Sequence, residues 1–464
     1  MKSALTEKGR MLLALAFRRG APRAAVSSFA LVILLGAIVL TLPISSRSRG
    51  WTGPADALFT ATSAVCVTGL LVKSTPEHWS LFGQLAILAM IQVGGLGIMT
   101  MGAVLYRTFQ RRVSMRVEVV LEDIVETGGA DSIWELLRFM CLLTAVVELL
   151  GAVVLYVSWR NAFHGSALCV YHSVFHSISA FCNAGFSLND DSLVRFGDST
   201  GVNLTVCGLI VVGGLGFPVV RDLLRAARWR LFSRRGRRVH LSTHSKLALT
   251  MTGILLVTGF VAVFLLEFGG TMAGVSVKSR ILMSGFQSVT ARTAGFNTVD
   301  ITRLAPAMAF VLMALMYIGG SPSGTAGGIK TTTLGVMIAS IVATLRGRST
   351  AEVFHHSVPA EVVHRVASII LLSMALVSGS IFLLLITEDA SFLEVAFDSV
   401  SAFGTVGLSA GLTGPDAHIT TGGKLIITLL MFAGRLGPIT LVLSMAQRKD
   451  RATYRYPEGQ ILVG

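Results

Sequence analysis

The chain has 464 residues, 53% of them hydrophobic and only 14% charged, with a net charge of +14. Ordinary soluble domains carry about 25% charged residues, so the composition excludes a typical soluble enzyme and points to several membrane spans. The positive charges cluster between apolar segments, which argues for cytoplasmic loops and against a nucleic-acid surface.

The chain opens on a basic segment, 1–25, with Lys2, Lys8, Arg10, Arg18, Arg19 and Arg23. The apolar run Val26 to Ile44 is long for a signal-peptide core and has no A-x-A site, so it reads as a retained span. Next comes DALFTATSAVCVTGL, Asp56 to Leu70, which is too short to cross a bilayer. This stretch recurs. Phe59-x-x-x-Ser63-Ala64 leads to Gly69, Phe175-x-x-x-Ser179-Ala180 to Gly185, and Phe397-x-x-x-Ser401-Ala402 to Gly407. Phe286-x-x-x-Thr290-Ala291 leads to Gly295 one residue sooner. The glycines are separated by 116, 110 and 112 residues, so a single unit is repeated four times.

The copies end in Val67-Thr68-Gly69, Asn183-Ala184-Gly185, Thr293-Ala294-Gly295 and Thr405-Val406-Gly407, each followed by an apolar residue. A short helix that stops there leaves extended backbone with free carbonyls, tolerated in a membrane only beside water or within protein. Four such tails around one axis would form rings of oxygens able to replace the hydration shell of K⁺. A buried turn would explain one copy but not four.

Each unit reads as span, re-entrant pore helix, tail, span. The expected fold is an all-α polytopic membrane protein: four parallel units around one central pore, with eight transmembrane helices and four re-entrant segments. First spans are placed near 26–45, 136–158, 246–267 and 364–387, and second spans near 80–105, 203–224, 307–344 and 424–446. The units divide as 26–112, 113–225, 226–348 and 349–446, with a tail at 447–464. Arginines follow the second spans at 107, 111, 112 and 116, at 221, 225, 228, 230, 234, 235, 237 and 238, and at 346 and 348, with Arg448, Lys449 and Arg451 near the end. They share a face with the basic N-terminal segment, so that face is cytoplasmic in a plasma (inner) membrane and both termini lie there. The 221–246 run could touch anionic lipid. The outer segments carry Glu77, Asp190, Asp191, Asp198, Asp300 and Asp416, individually a solvated rim and together a means of concentrating cations.

The second spans contain Gly94-Gly95-Leu96-Gly97, Gly213-Gly214-Leu215-Gly216, Gly319-Gly320 and Gly434-Arg435-Leu436-Gly437. In the first two, helix packing is the expected use. In the third, the pair opens into Gly319-Gly320-Ser321-Pro322-Ser323-Gly324-Thr325-Ala326-Gly327-Gly328-Ile329-Lys330, which cannot form a stable helix and should line the water path. It lacks the G-x-x-x-x-G-K-[ST] spacing of a phosphate loop. In the fourth, Arg435 stands mid-membrane, where a guanidinium costs about 2.5–3.5 kcal/mol and needs a cavity or a partner. Glu148 also lies in an apolar run and is assigned a structural hydrogen bond. His172 and His176 have metal-compatible spacing without a third ligand, and packing is their expected role. The cysteines at 66, 141, 169, 182 and 207 have no metal-ligand spacing and read as small core residues.

The units, the glycine tails, the GGSPSGTAGGIK loop and the arginine of the last span together resemble the Trk/Ktr/HKT superfamily of cation transporters, and most of all the bacterial Ktr membrane subunit. The ending RYPEGQILVG is similar to that subunit's tail. The resemblance implies a pore-forming subunit for K⁺ uptake, a homodimer with its tail at the interface, and a cytosolic nucleotide-binding regulatory ring as partner. It implies that 319–330 is the gate with Arg435 opposite, that K⁺ is the transported ion, and that Na⁺ activates some relatives. Gly69 resembles the K⁺-selective members, where a serine goes with Na⁺. Ser323 departs from the family, whose loop usually carries glycine there. No covalent cofactor, nucleic-acid partner or enzymatic constellation is expected. The alternative is a secondary transporter of Na⁺ or a small metabolite, which inverted repeats would favour.

Overall fold

The computed structural model describes residues 21–108, 130–163, 165–232, 241–415 and 417–445. The basic residues of 1–20, Arg111, Arg112, Arg116, Arg234, Arg235, Arg237, Arg238, Asp416 and the tail at 447–464 lie outside them. In chain order the helices are α1 (Ala21–Thr41), α2 (Pro54–Val65), α3 (Leu81–Thr108), α4 (Ala130–Trp159), α5 (Ser166–Phe181), α6 (Thr200–Gly214), α7 (Phe217–Phe232) and α8 (Thr243–Leu266). They continue as α9 (Val277–Thr290), α10 (Pro306–Tyr317), α11 (Thr331–Leu345), α12 (Ala360–Thr387), α13 (Phe392–Gly404), α14 (Thr421–Leu436) and α15 (Pro438–Met445).

Local chemistry starts many of these helices. Ser199, Ser242, Ser276, Ser391 and Thr420 each accept a backbone N–H of the first turn, and Ser391 with Glu394 forms a reciprocal capping box. Pro54 opens α2 and Pro306 opens α10, positions where no intrahelical N–H is missed. Among the described residues three continuous helices are long and apolar enough to cross a bilayer: Leu137–Trp159, Thr243–Leu266 and Ala360–Thr387. Their outward surfaces carry Leu142, Leu149, Leu150, Val257, Leu265, Leu371, Phe382 and Ile386, all exposed. Such a continuous apolar exterior belongs against lipid. The fold is a helix-rich polytopic membrane fold.

The helices pack in four groups. α1 packs on α2 and α3, α4 on α5 and α6, α8 on α9, α10 and α11, and α12 on α13 and α14. Contacts between groups run α3 to α5, α6 to α9, α10 to α13 and α14 to α2, closing a circle with α2, α5, α9 and α13 inside. The helices on the inside are largely buried: Phe59, Phe175, Phe286 and Phe397 are each at most 1% exposed.

The second span of the third unit is interrupted at 318–330, as its composition predicts, and the other three second spans are broken as well. α3 contains a left-handed break at Gly97 (φ 77°), and α6 and α7 meet at 106° with Gly216 (φ 83°) between them. Gly437 (φ 82°) separates α14 from α15, and α10 and α11 are separated by 318–330. Each break glycine is the last of a Gly-x-x-Gly motif, and only glycine takes positive φ without steric cost. The first glycine of each motif packs, as the sequence suggests for Gly94 and Gly213 and as it does not for Gly434. A Cβ on Gly94 would strike the Val65 carbonyl, one on Gly213 that of Phe181, and one on Gly434 that of Phe403.

The all-α expectation also needs correction. Ala351–Val353 (β1) and His356–Val358 (β2) form an antiparallel hairpin. Its two-residue turn, Phe354 (φ 47°) and His355 (φ 65°), is left-handed at both positions, the geometry that matches strand twist. Ala351 and Val353 are buried, with β1 packed on α11.

Candidate functional site

The residues after α2, α5, α9 and α13 meet at the centre of the circle. In each tail the first and third residues are left-handed: Val67 and Gly69 (φ 56° and 92°), Asn183 and Gly185 (60° and 72°), Thr293 and Gly295 (74° and 79°), Thr405 and Gly407 (50° and 96°). The alternation turns the helix end into a short extended segment. The repeated Ser or Thr holds that shape. Ser63 Oγ accepts Gly69 N at 3.0 Å and Ser401 Oγ accepts Gly407 N at 3.1 Å. Ser179 Oγ donates to Phe186 O at 2.8 Å, and Thr290 Oγ1 to Phe296 O at 2.6 Å.

The four glycines touch in sequence. A Cβ built on Gly69 would stand 3.1 Å from Gly185 Cα, and one on Gly185 3.0 Å from Gly295 Cα. One on Gly295 would stand 3.2 Å from Gly407 Cα, and one on Gly407 3.0 Å from Gly69 Cα. The ring closes with no room for a side chain at any of the four. None of the carbonyl oxygens of 67–69, 183–185, 293–295 and 405–407 accepts a hydrogen bond from a described residue. The buried hydroxyls of Thr68 and Thr405 have no partner among the described residues either. The centre is therefore rich in uncommitted oxygen.

The segment 318–330 lies against two of the tails. A Cβ on Gly319 would come within 3.3 Å of Thr293 Cγ2, and one on Gly327 within 3.0 Å of Thr405 Cβ. The sequence suggests a loosely pinned loop, but the structure shows a clamped one. Gly319 N donates to Ile329 O (2.8 Å), Ser321 N to Gly214 O (2.9 Å), Thr325 N to Gly213 O (3.1 Å), Gly328 N to Gly434 O (3.3 Å) and Thr331 N to Gly320 O (3.0 Å). Ser321 Oγ pairs with Thr331 Oγ1 at 3.0 Å, and Thr325 Oγ1 donates to Phe181 O at 3.3 Å. Carbonyls freed where neighbouring helices break supply several of the acceptors, which the sequence does not reveal. Pro322, Ser323 and Gly324 are half-buried and Ala326 is buried. Ser323 has φ 61°, so the position where the resemblance expects glycine has a backbone that suits it.

Three cationic side chains grip this loop. Arg435 donates Nη1 to Thr325 O and Nη2 to Gly94 O, bridging the fourth group to the loop and to α3. Lys330 Nζ donates to Ala326 O at 2.6 Å and Arg292 Nη2 to Gly319 O at 2.6 Å. Among the described residues none of the three has a carboxylate within 4.0 Å. Arg292 is missing from the sequence-based site. Its signal was a charge inside the motif copy that is one residue short.

Glu148 accepts from Gln92 Nε2 at 3.3 Å and lies 3.9 Å from Cys182 Sγ, behind the second tail and away from the loop. His176 Nδ1 donates to His172 O at 2.8 Å, its Nε2 pairs with Ser187 Oγ at 3.0 Å, and its ring packs on Trp159. No group of three His, Cys, Asp or Glu converges among the described residues. Of the acidic residues assigned to an outer rim, Asp191 and Asp300 are paired with Arg195 (3.9 Å) and Arg303 (3.1 Å), and Asp190 accepts from Ser74 Oγ at 3.0 Å.

Residues 19–454 match the family model TrkH, described as cation transport protein. The chain belongs to the TrkH cation transport family. It is 39% identical over 447 residues to the potassium/sodium uptake protein NtpJ of Enterococcus hirae, covering 94% of this chain and 96% of that one. It is 37% identical over 447 residues to Ktr system potassium uptake protein B of Bacillus subtilis, covering 96% of each. Its fold is similar to the crystal structure of the potassium transporter TrkH from Vibrio parahaemolyticus, with TM-score 0.66, 19% identity, and coverage of 91% of this chain and 85% of that one. Membership in the TrkH family makes the protein a multi-pass membrane transporter, as the resemblance read from its motifs implied.

Proposed function

We propose that the protein is the pore-forming subunit of a K⁺ uptake system. The observation that carries this reading is the closed ring of four glycine tails whose carbonyl oxygens have no hydrogen-bond partner among the described residues. A cation that sheds its water needs such oxygens, and no cationic side chain donates to them. The ring acts as the selectivity filter, formed by residues 67–69, 183–185, 293–295 and 405–407. Helices α2, α5, α9 and α13 are its pore helices, their C-terminal ends adding negative potential toward the ion. The chain crosses the membrane eight times, its second spans doing so as broken helices. Both termini are cytoplasmic, and the membrane is the inner one.

The loop 319–330 is the gate, held across the path by Arg435, Lys330 and its own backbone bonds. Relatives named for the Ktr system support an assembly with other subunits, here a homodimer on a cytosolic nucleotide-binding ring. Na⁺ remains the second cation to test, because the relative from Enterococcus hirae is named for both ions. The experiment is flux into proteoliposomes with K⁺, Na⁺ and a neutral solute supplied in turn. K⁺ flux well above Na⁺ flux supports the reading. Uptake of the neutral solute, or no cation flux from monodisperse protein, overturns it.

A further inference from the structure

Arg292 immediately precedes the third tail, one residue before Thr293. It is 7% exposed. Its Nη2 donates to Gly319 O at 2.6 Å, the carbonyl at the entry of the loop. Its Nε and Nη1 are buried and have no partner among the described residues. The residue lines a cavity of about 20 Å³ together with Gly214, Thr252, Val289 and Gly320. A guanidinium has five N–H donors in a rigid fork, and one buried with most of them uncommitted is costly. Packing does not require it, because the matching positions of the other copies, just before each tail, are Cys66, Cys182 and Gly404.

We infer that Arg292 is a positioning residue that couples the third filter tail to the gate loop. The inference rests on the gate reading above. Arg292 fixes the loop's entry to the tail through Gly319, while Thr293, the next residue, sits in side-chain contact range of the same glycine. Movement of the loop therefore pulls on the backbone that shapes the ring. Arg292 and Gly320 line the same small cavity and Nε and Nη1 have no partner among the described residues, so the fork has donors to spare beside the loop. Arg435 and Lys330 hold the middle of the loop and touch no tail residue through hydrogen bonds. Among the described residues, only Arg292 links the backbone next to a tail to the loop by a charged bond.

The test is K⁺ flux in proteoliposomes at matched protein, with and without deletion of Ser321 to Ala326. In the full chain Arg292→Gln is expected to raise flux by about fivefold or more, the lower end of typical coupling between sites. Arg292→Lys, which keeps the charge but loses the fork, is expected to fall between Arg292→Gln and wild type. In the deleted chain both substitutions are expected to be silent, since the bond's partner no longer gates. A rise of equal size in both backgrounds would mean that the charge acts on the ion directly, and would overturn the coupling. Wild-type flux from folded Arg292→Gln and Arg292→Lys in the full chain would overturn it as well. If Arg292→Gln is not monodisperse, Arg292→Lys decides: flux above wild type supports the inference and equal flux overturns it. Failure of the deletion alone to raise flux sinks the gate reading instead. Raised flux on deletion with silent Arg292 variants in the full chain leaves the gate standing and removes only the coupling.

Discussion

Substituting Gly69 by serine perturbs the ring at one defined point. The Cβ would lie 2.5 Å from Ala184 O and 3.1 Å from Gly185 Cα. Ordinary contact begins at 3.4 Å, so the Ala184 carbonyl must retreat by about 0.9 Å. The backbone adds to this, because φ at Gly69 is 92° and a left-handed L-residue costs about 1–2 kcal/mol. The strain falls on the oxygens assigned to the ion, where about 1–2 kcal/mol corresponds to a 5–30-fold change in preference. Gly69→Ser is therefore expected to lower K⁺ over Na⁺ selectivity by about that factor, measured as the ratio of fluxes in proteoliposomes. Gly94→Ser is a poor control, because its Cβ would strike the Val65 carbonyl at the end of α2 and should impair folding. Gly208→Ser is the better one, since nothing lies within 4 Å of a Cβ there. Equal selectivity in wild type and Gly69→Ser would refute the assignment of the first tail to the filter.

On a background without the five cysteines, Val194→Cys is expected to label from outside intact cells and Arg228→Cys only from inside, and outside labelling of both would overturn the proposed orientation. Ser323→Gly relieves a left-handed residue at φ 61°, and after the larger unfolded-state entropy of glycine it is expected to change stability by about 0 to +1 kcal/mol, read as an unchanged or raised melting temperature in detergent. A clear loss of stability would mean that the Ser323 side chain supports the loop. Asp398 is fully buried and accepts from Ser409 Oγ (2.8 Å), Ala410 N (2.8 Å), Thr413 N (2.9 Å) and Thr413 Oγ1 (2.7 Å), so Asp398→Asn sets an amide against donors and is expected to cost about 1–3 kcal/mol, lowering the melting temperature. An unchanged melting temperature would show that the loop held by Asp398 does not contribute to stability.

The sequence carried the repeated motif because its spacing is fixed by backbone geometry. Left-handed tails need glycine at the third position, and the Ser or Thr six residues earlier is needed to hold the first, second and fourth tails. It carried the first spans of the second, third and fourth units because lipid demands unbroken apolar runs. It did not carry the breaks at Gly97, Gly216 and Gly437, because a glycine that packs and a glycine that turns look alike in a Gly-x-x-Gly motif. The donors and acceptors that hold 318–330 were also hidden, since they are mostly main-chain atoms of helices up to 144 residues away in sequence. Arg292 was masked by its motif, which was read for its small residues alone.

The clamp on the loop sets what opening must overcome. Shifting a two-state element from 1:99 to 99:1 takes about 5.5 kcal/mol. A hydrogen bond to a charged group contributes about 1.5–3 kcal/mol, and the loop receives one each from Lys330, Arg292 and Arg435. Water or new carbonyls replace part of this when the loop moves, so the barrier to opening is of the size that a regulatory partner can supply. Removing one charged bond should leave the loop partly open without that partner. Lys330→Met deletes the bond to Ala326 O and is expected to raise partner-free K⁺ flux by about tenfold, the effect of 1.4 kcal/mol. Its K⁺ over Na⁺ ratio should stay near wild type, because the side chain donates to no tail carbonyl. Lys330→Arg, which keeps a charged donor, should remain close to wild type. Wild-type flux from monodisperse Lys330→Met would refute the argument, because the loop would then be held by its main-chain bonds and the charges would serve another end.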